Sequence, residues 1–135
     1  MVDVNLTATY RLIRATERLL RASEGARAIF LTTGRVAHPK AFWGPYGITK
    51  AGFEHMVRTW ADELEQTPVR AVLLDPGVMR TKMRAEAMPG EDPMSLPDPS
   101  EIGPLIVQLA QADLGLPKAN VAFSRWKAAG TLASA

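Results

Sequence analysis

Tyr46-Gly47-Ile48-Thr49-Lys50 sets a phenol and an ammonium four residues apart. In a helix that spacing puts both side chains on one face. Tyrosine exchanges protons poorly at neutral pH, because its ordinary pKa is about 10. A cation one turn away, near the positive end of a helix, stabilises the phenolate. The pair therefore suits proton exchange with an oxygen. A carbonyl that accepts hydride develops negative charge on oxygen, and a second hydroxyl beside the phenol completes a reducing site. Thr33, at the end of a β-prone run, can supply that hydroxyl. Taken alone, Tyr46 and Lys50 equally suit a plain helix start and Thr33 a strand hydroxyl.

The elements that must position these residues alternate along the chain. An amphipathic pattern over 6–21 predicts a first helix, with Arg11, Arg14, Arg18 and Arg21 on one side and Leu12, Ile13, Thr16, Leu19 and Leu20 on the other. Ala28 to Thr32 reads as a strand buried on both faces. A helix is predicted over 45–64, with Phe53, Met56, Val57, Trp60 and Leu64 as its apolar stripe and Pro68 closing it. Residues 69–74 form a second strand stopped by Pro76-Gly77. Pro89, Pro93, Pro97 and Gly90 make 79–98 a long loop with at most one helical turn. Asp98-Pro99-Ser100-Glu101 is a capping box that opens a helix with Ile102, Leu105, Ile106 and Leu109 inward, ended by Gly115 and Pro117. Residues 119–123 give a weaker third strand, and 124–135 a frayed tail.

This order predicts an α/β fold, a partial Rossmann-like parallel sheet of about three strands with flanking helices. In such a sheet the crevice lies at the carboxyl ends of the strands, where Thr33, Pro76-Gly77 and the start of the Tyr46 helix converge.

Composition narrows the function classes. The 135 residues are 47% hydrophobic, which suits one globular domain, and the absence of cysteine excludes a thiol nucleophile and a thiolate metal site. No apolar run approaches a membrane span and the first residues form no signal peptide, so a cytoplasmic protein is expected. Residues 1–40 hold seven basic and three acidic side chains. The Arg stripe behind that excess lacks the aromatics or basic run of a nucleic-acid surface and reads as a solvated helix face.

The residues also carry a resemblance. The chain resembles the short-chain dehydrogenase/reductase family, whose tyrosine-x-x-x-lysine motif matches Tyr46 and Lys50. Asn5, in Val-Asn-Leu-Thr, matches the family's active-site asparagine, and Thr33 stands where the family has a serine, thirteen residues before the tyrosine. Pro76-Gly77-Val78 and Thr81 match its Pro-Gly-x-x-x-Thr, which contacts the nicotinamide end of the cofactor. The likeness extends over about residues 2–123, its later part resembling a bacterial subgroup of oxidoreductases.

The resemblance implies NAD or NADP as cofactor and a small-molecule carbonyl or alcohol as substrate. Tyr46 is then the general acid/base, and Lys50 eases its deprotonation and holds the nicotinamide ribose. Thr33 polarises the substrate carbonyl, Asn5 supports a relay water, and Pro76, Gly77, Val78 and Thr81 meet the cofactor. Loop 79–98 becomes a substrate lid lined by Met79, Met83, Met88 and Met94. His38 and His55 are read as solvated or contact residues. The helices at 6–21 and 45–64 resemble the pair through which subunits of the family associate, so a homo-oligomer is expected.

Dinucleotide-binding halves open on a strand, a glycine-rich turn and a helix that receives the pyrophosphate. The ten glycines, at 25, 34, 44, 47, 52, 77, 90, 103, 115 and 130, form no such turn. The chain thus resembles the carboxyl-terminal half of the family's domain over 1–123, and a truncated frame, a fragment or a completing partner is expected. Two functions remain: the catalytic portion of an oxidoreductase, or a non-catalytic dimerisation module.

Overall fold

The computed structural model describes residues 1–111 and 120–130. Three parallel strands form its sheet: β1 (Arg27–Leu31), β2 (Arg70–Asp75) and β3 (Val121–Ala122), in the order β1-β2-β3. Arg27 to Leu31 lie opposite Arg70 to Leu74, while Leu74 and Asp75 face Val121 and Ala122. The helices are α1 (Ala8–Arg21), α2 (Gly44–Glu63), α3 (Lys82–Ala87), α4 (Gly103–Ala110) and α5 (Phe123–Ala129). The α/β architecture is the one the apolar runs predict. No helix among the described residues is long and apolar enough to cross a membrane.

Period-two alternation in β2 sends its side chains to two separate cores. Val72 and Leu74 join Met79, Ile102, Leu105, Leu109, Val121 and Phe123 on one face. Leu73 meets Phe53 and Val57 of α2 on the other, where Ile13, Trp60, Leu64 and Val69 form the adjoining cluster. Phe30 of β1 sits edge-on to both Phe53 and Trp60, with ring centroids 6.0 Å away in each case. Aromatic pairs at this distance and angle favour the arrangement beyond their buried area. Pro45 occupies the first turn of α2, where its fixed φ suits the helix and its missing N–H costs nothing.

Several expectations are corrected. β1 packs on a core at each face, Ile29 on one and Ala28 and Phe30 on the other, but it is only partly buried and Leu31 is 50% exposed. The first helix does not start at 6 as a regular element. Asp3–Thr7 is a π-turn in which the Ala8 amide donates to the Asp3 carbonyl, and α1 follows. Of the apolar side of α1 only Ile13 is buried, while Leu12 and Leu19 lie open because neither β1 nor α2 reaches them. Loop 79–98 contains α3 and a 3-10 turn at Pro93–Ser95. Arg84 clamps Glu91 through two hydrogen bonds of 2.6 and 2.8 Å, and Arg80 holds Asp98 at 2.8 Å.

The helix opened by the capping box begins as a 3-10 turn, Pro99–Ile102, before α4; both capping bonds are present. Its expected stop at Gly115 and Pro117 lies outside the described residues, as do 131–135 of the tail. The tail is corrected up to residue 129, because Phe123 and Trp126 of α5 pack on the core formed with β2 and α4.

Leu74 is fully buried between the strands that flank it. Leu74→Ala removes the side chain beyond Cβ and is expected to destabilise the fold by about 2–5 kcal/mol. Urea unfolding checks this as a lower midpoint with an unchanged slope.

Candidate active site

Tyr46, Lys50, Glu54 and Arg58 recur every fourth residue along α2 and so form one row. Tyr46 sits in the first turn, half-buried, with the edge of Trp43 packed on its ring at 5.6 Å. The Arg35 guanidinium lies 5.9 Å from the centre of the Trp43 ring. Arg35 in turn donates its amide to the Thr33 hydroxyl at 3.3 Å. The turn after β1 is thus tied to the start of α2 through Thr33, Arg35, Trp43 and Tyr46. Among the described residues no group hydrogen-bonds the Tyr46 hydroxyl. Phe42, at φ +69° and fully exposed, marks a strained point in the same connection.

Lys50 donates to the Leu31 carbonyl at 2.9 Å, and its ammonium lies 4.5 Å from the centre of the Phe53 ring. Burial pushes the ammonium below the usual lysine range, and the negative charge of Glu54 opposes that shift. An ammonium has three donors, so one carbonyl leaves capacity for a ligand. Glu54 itself is buried, and the sequence reading missed it. Its position four residues after Lys50 was the available signal.

Asn5 lies in the π-turn and donates through Nδ2 to the Thr49 hydroxyl at 2.9 Å. The Thr49 hydroxyl in turn donates to the Tyr46 carbonyl at 2.9 Å. Thr49, a buried residue also missed from sequence, therefore links Asn5 to the first turn of α2. The Asn5 carbonyl accepts from the Thr9 hydroxyl at 3.1 Å. π-turns of this kind accompany functional positions in helices.

The structure thus joins Thr33, Tyr46, Lys50 and Asn5 through bonded neighbours. Pro76, Gly77, Val78 and Thr81 follow β2 at the same end of the sheet, but no hydrogen bond or ring contact among the described residues ties them to Tyr46 or Lys50. Gly77 takes φ +71°, and its amide donates to Asp75 Oδ1 at 2.9 Å. Asp75 also faces Gly34: a Cβ there would stand 3.2 Å from its Oδ2, so a side chain at 34 would crowd the strand ends. Thr81 is exposed and caps α3 by accepting from the Arg84 amide at 3.2 Å. The methionine lining is corrected at Met79, which is buried in the core, whereas Met83 and Met94 are exposed. His38 and His55 are both exposed.

Residues 1–92 match the family model described as short chain dehydrogenase. The chain belongs to the short-chain dehydrogenase family. It is 36% identical over 113 residues to the uncharacterized oxidoreductase YciK of Escherichia coli K12, covering 84% of this chain and 44% of that protein. A short chain dehydrogenase structure from Salmonella enterica serovar Typhi superposes with a TM-score of 0.84 at 32% identity, over 90% of this chain and 50% of the other. One from Shigella flexneri 2a, complexed with NADP, gives 0.83 at 32% identity over 90% and 51%. The chain spans about half the length of the relatives it matches.

Within this member of the family, acid should loosen the segment after α3 first. Asp98 is held at about 2, below its usual 3.8, by hydrogen bonds from Ser100 and then by Arg80. A carboxylate with a depressed folded pKa contributes stability above the ordinary value, and the contribution is lost as pH falls through the folded one. Protection of the 79–102 amides in hydrogen exchange is therefore expected to fall as pH drops from about 4 to about 2. Asp98→Asn should remove that step.

Proposed function

We propose that this chain carries the catalytic end of an NAD(P)-dependent oxidoreductase that interconverts a small-molecule carbonyl and its alcohol. The observation that carries the reading is the Tyr46 hydroxyl, without a hydrogen-bond partner among the described residues, one helical turn from the Lys50 ammonium at the end of the sheet where Thr33 also lies. The residues present suit the nicotinamide end of a dinucleotide. The Lys50 ammonium has protons to spare for the ribose hydroxyls, and Pro76-Gly77-Val78 is an open turn beside the strand ends. Relatives solved with NADP and NADPH, from Shigella flexneri 2a and Escherichia coli CFT073, support the same cofactor class for this chain.

When bound, such a cofactor supplies or takes up the hydride. Tyr46 donates its hydroxyl proton to the substrate oxygen as charge develops there, and takes it back in the reverse direction. Lys50 stabilises the resulting phenolate by its positive charge and binds the ribose. Thr33 donates a hydrogen bond to the same substrate oxygen, a contact stronger in the transition state than in the ground state. Its methyl group, which serine would lack, narrows the space beside that oxygen. Asn5, fixed by Thr49, supports a water that replenishes the proton. Residues 79–98 flank the substrate side, and residues 1–123 form one half of the dinucleotide-binding fold.

Titration with NADH and NADPH, followed by nicotinamide fluorescence, tests the reading. Saturable binding is expected and should weaken by at least about tenfold in Lys50→Ala, the loss of one charge-assisted contact. A folded chain that binds neither cofactor at millimolar concentration would exclude autonomous cofactor binding. Tyr46→Phe should leave binding intact while abolishing carbonyl reduction in any form of the protein that turns over.

The homo-oligomer is proposed on the same basis, through the helices at 6–21 and 45–64. Leu12 and Leu19, seven residues apart and so on one side of α1, are 63% and 76% exposed, an apolar strip that a second copy would cover. Leu12→Glu is expected to shift the molar mass in light scattering towards the monomer; an unchanged mass places any interface elsewhere.

A further inference from the structure

We propose that Glu54 is a positioning residue for the Tyr46 and Lys50 pair, gripping the last peptide of β1 so that the Leu31 carbonyl meets the Lys50 ammonium. The inference rests on the reading of Lys50 as part of the active site. Glu54 is 5% exposed and accepts from three side chains. The Thr32 hydroxyl reaches its Oε1 at 2.5 Å, Arg58 Nη2 reaches Oε2 at 3.2 Å, and Asn120 Nδ2 lies 3.3 Å from each oxygen. Arg58 also donates to Asn120 Oδ1 at 2.7 Å, which closes the network.

The geometry of one peptide unit carries the argument. The Leu31 carbonyl and the Thr32 amide belong to the same rigid plane. Its N–H side is fixed by β2, because Thr32 donates to the Leu74 carbonyl at 2.8 Å. Its C=O side accepts from Lys50 at 2.9 Å. β1 is the sheet edge, so no strand holds that carbonyl. The side chain of Thr32 is the remaining handle on the plane, and Glu54 holds it. Thr33 is the next residue, so the same grip sets where its hydroxyl leaves the sheet.

A buried carboxylate is costly, and an apolar residue at the same place is often no less stable. Packing alone therefore does not call for a glutamate here. An anion one turn beyond Lys50 does two things that an apolar residue cannot. It binds the Thr32 hydroxyl, and its charge favours the protonated form of the half-buried ammonium. The charged and titratable groups on the elements packed around Lys50 are Tyr46, Glu54, His55, Arg58, Asp62 and Glu63 on α2, Asp3 in the π-turn, Arg27 on β1, Arg35 after it, and Arg70 and Asp75 on β2. Among them Glu54 is the one whose charge acts on Lys50.

NMR on the full chain tests this without turnover. The pH titration of the Lys50 Cε signal and the solvent exchange of its ammonium protons are compared in the parent, Glu54→Gln, Thr32→Val and Thr32→Ser. In Glu54→Gln the Lys50 midpoint should fall by about one pH unit, as expected on losing a nearby opposite charge. In Thr32→Val, which leaves every charge in place, the ammonium protons should exchange faster, and Thr32→Ser should restore the parent rate. A Glu54 that acts on Lys50 by charge alone predicts parent-like exchange in Thr32→Val. An unaltered midpoint in folded Glu54→Gln, or parent-like exchange in Thr32→Val, overturns the proposal. If Glu54→Gln does not fold, the two Thr32 variants decide. Failure of the oxidoreductase reading is seen separately, as absence of NADPH binding by a chain in which Lys50 responds as stated.

Discussion

Thr32 donates its amide to the Leu74 carbonyl at 2.8 Å, and this last rung of the β1–β2 ladder fixes where the chain leaves the sheet. Everything at the candidate site is placed relative to that exit. The Leu31 carbonyl beyond it orients Lys50, and the turn that starts at Thr33 leads through Arg35 and Trp43 to the ring of Tyr46. A parallel rung is slanted and no stronger than others. Its weight comes from position, at the edge strand and at the carboxyl end, where ligands of open α/β sheets bind.

The two cores divide the work. The face carrying Phe53, Val57, Trp60 and Leu64 binds α2 to the sheet and so sets the height of Tyr46 and Lys50 above the strand ends. The opposite face, with Leu105, Leu109, Val121 and Phe123, supports β2 from behind and anchors Met79, from which the segment 80–98 departs. Charge pairs then shape that segment: Arg80 with Asp98 and Arg84 with Glu91 are exposed or partly so, and such pairs guide conformation more than they stabilise. Rigid strands and α2 therefore hold Thr33, Tyr46 and Lys50, while the segment after β2 is pinned by charge pairs.

Edge position explains the chief departures from what the pattern predicts. The apolar run in β1 reads as a strand buried on both faces, yet Leu31 is half-exposed, β2 being the strand that pairs with β1 among the described residues. Leu12 and Leu19 read as the apolar side of α1 and lie open, because amphipathicity says which face is apolar and not what covers it. The curated and solved relatives are about twice as long as this chain, and its incomplete coverage of apolar faces accords with that.

Local chemistry was legible in the sequence wherever a residue acts through its own neighbours. The capping box at Asp98, the first-turn proline of α2, the strand breaks at Pro76-Gly77 and the four-residue spacing of Tyr46 and Lys50 all follow from short-range geometry, and so does the α/β alternation. Tertiary structure alone decided the rest, because it depends on contacts between distant segments. It brought Asn5 to Thr49, forty-four positions away, and Asn120 to Glu54, sixty-six away. It drew Met79 into the core and turned a nominal tail into α5. A glutamate on a helix reads as surface until a sheet closes over it. Its burial beside Lys50 is a property of the packed layers and of no stretch of sequence.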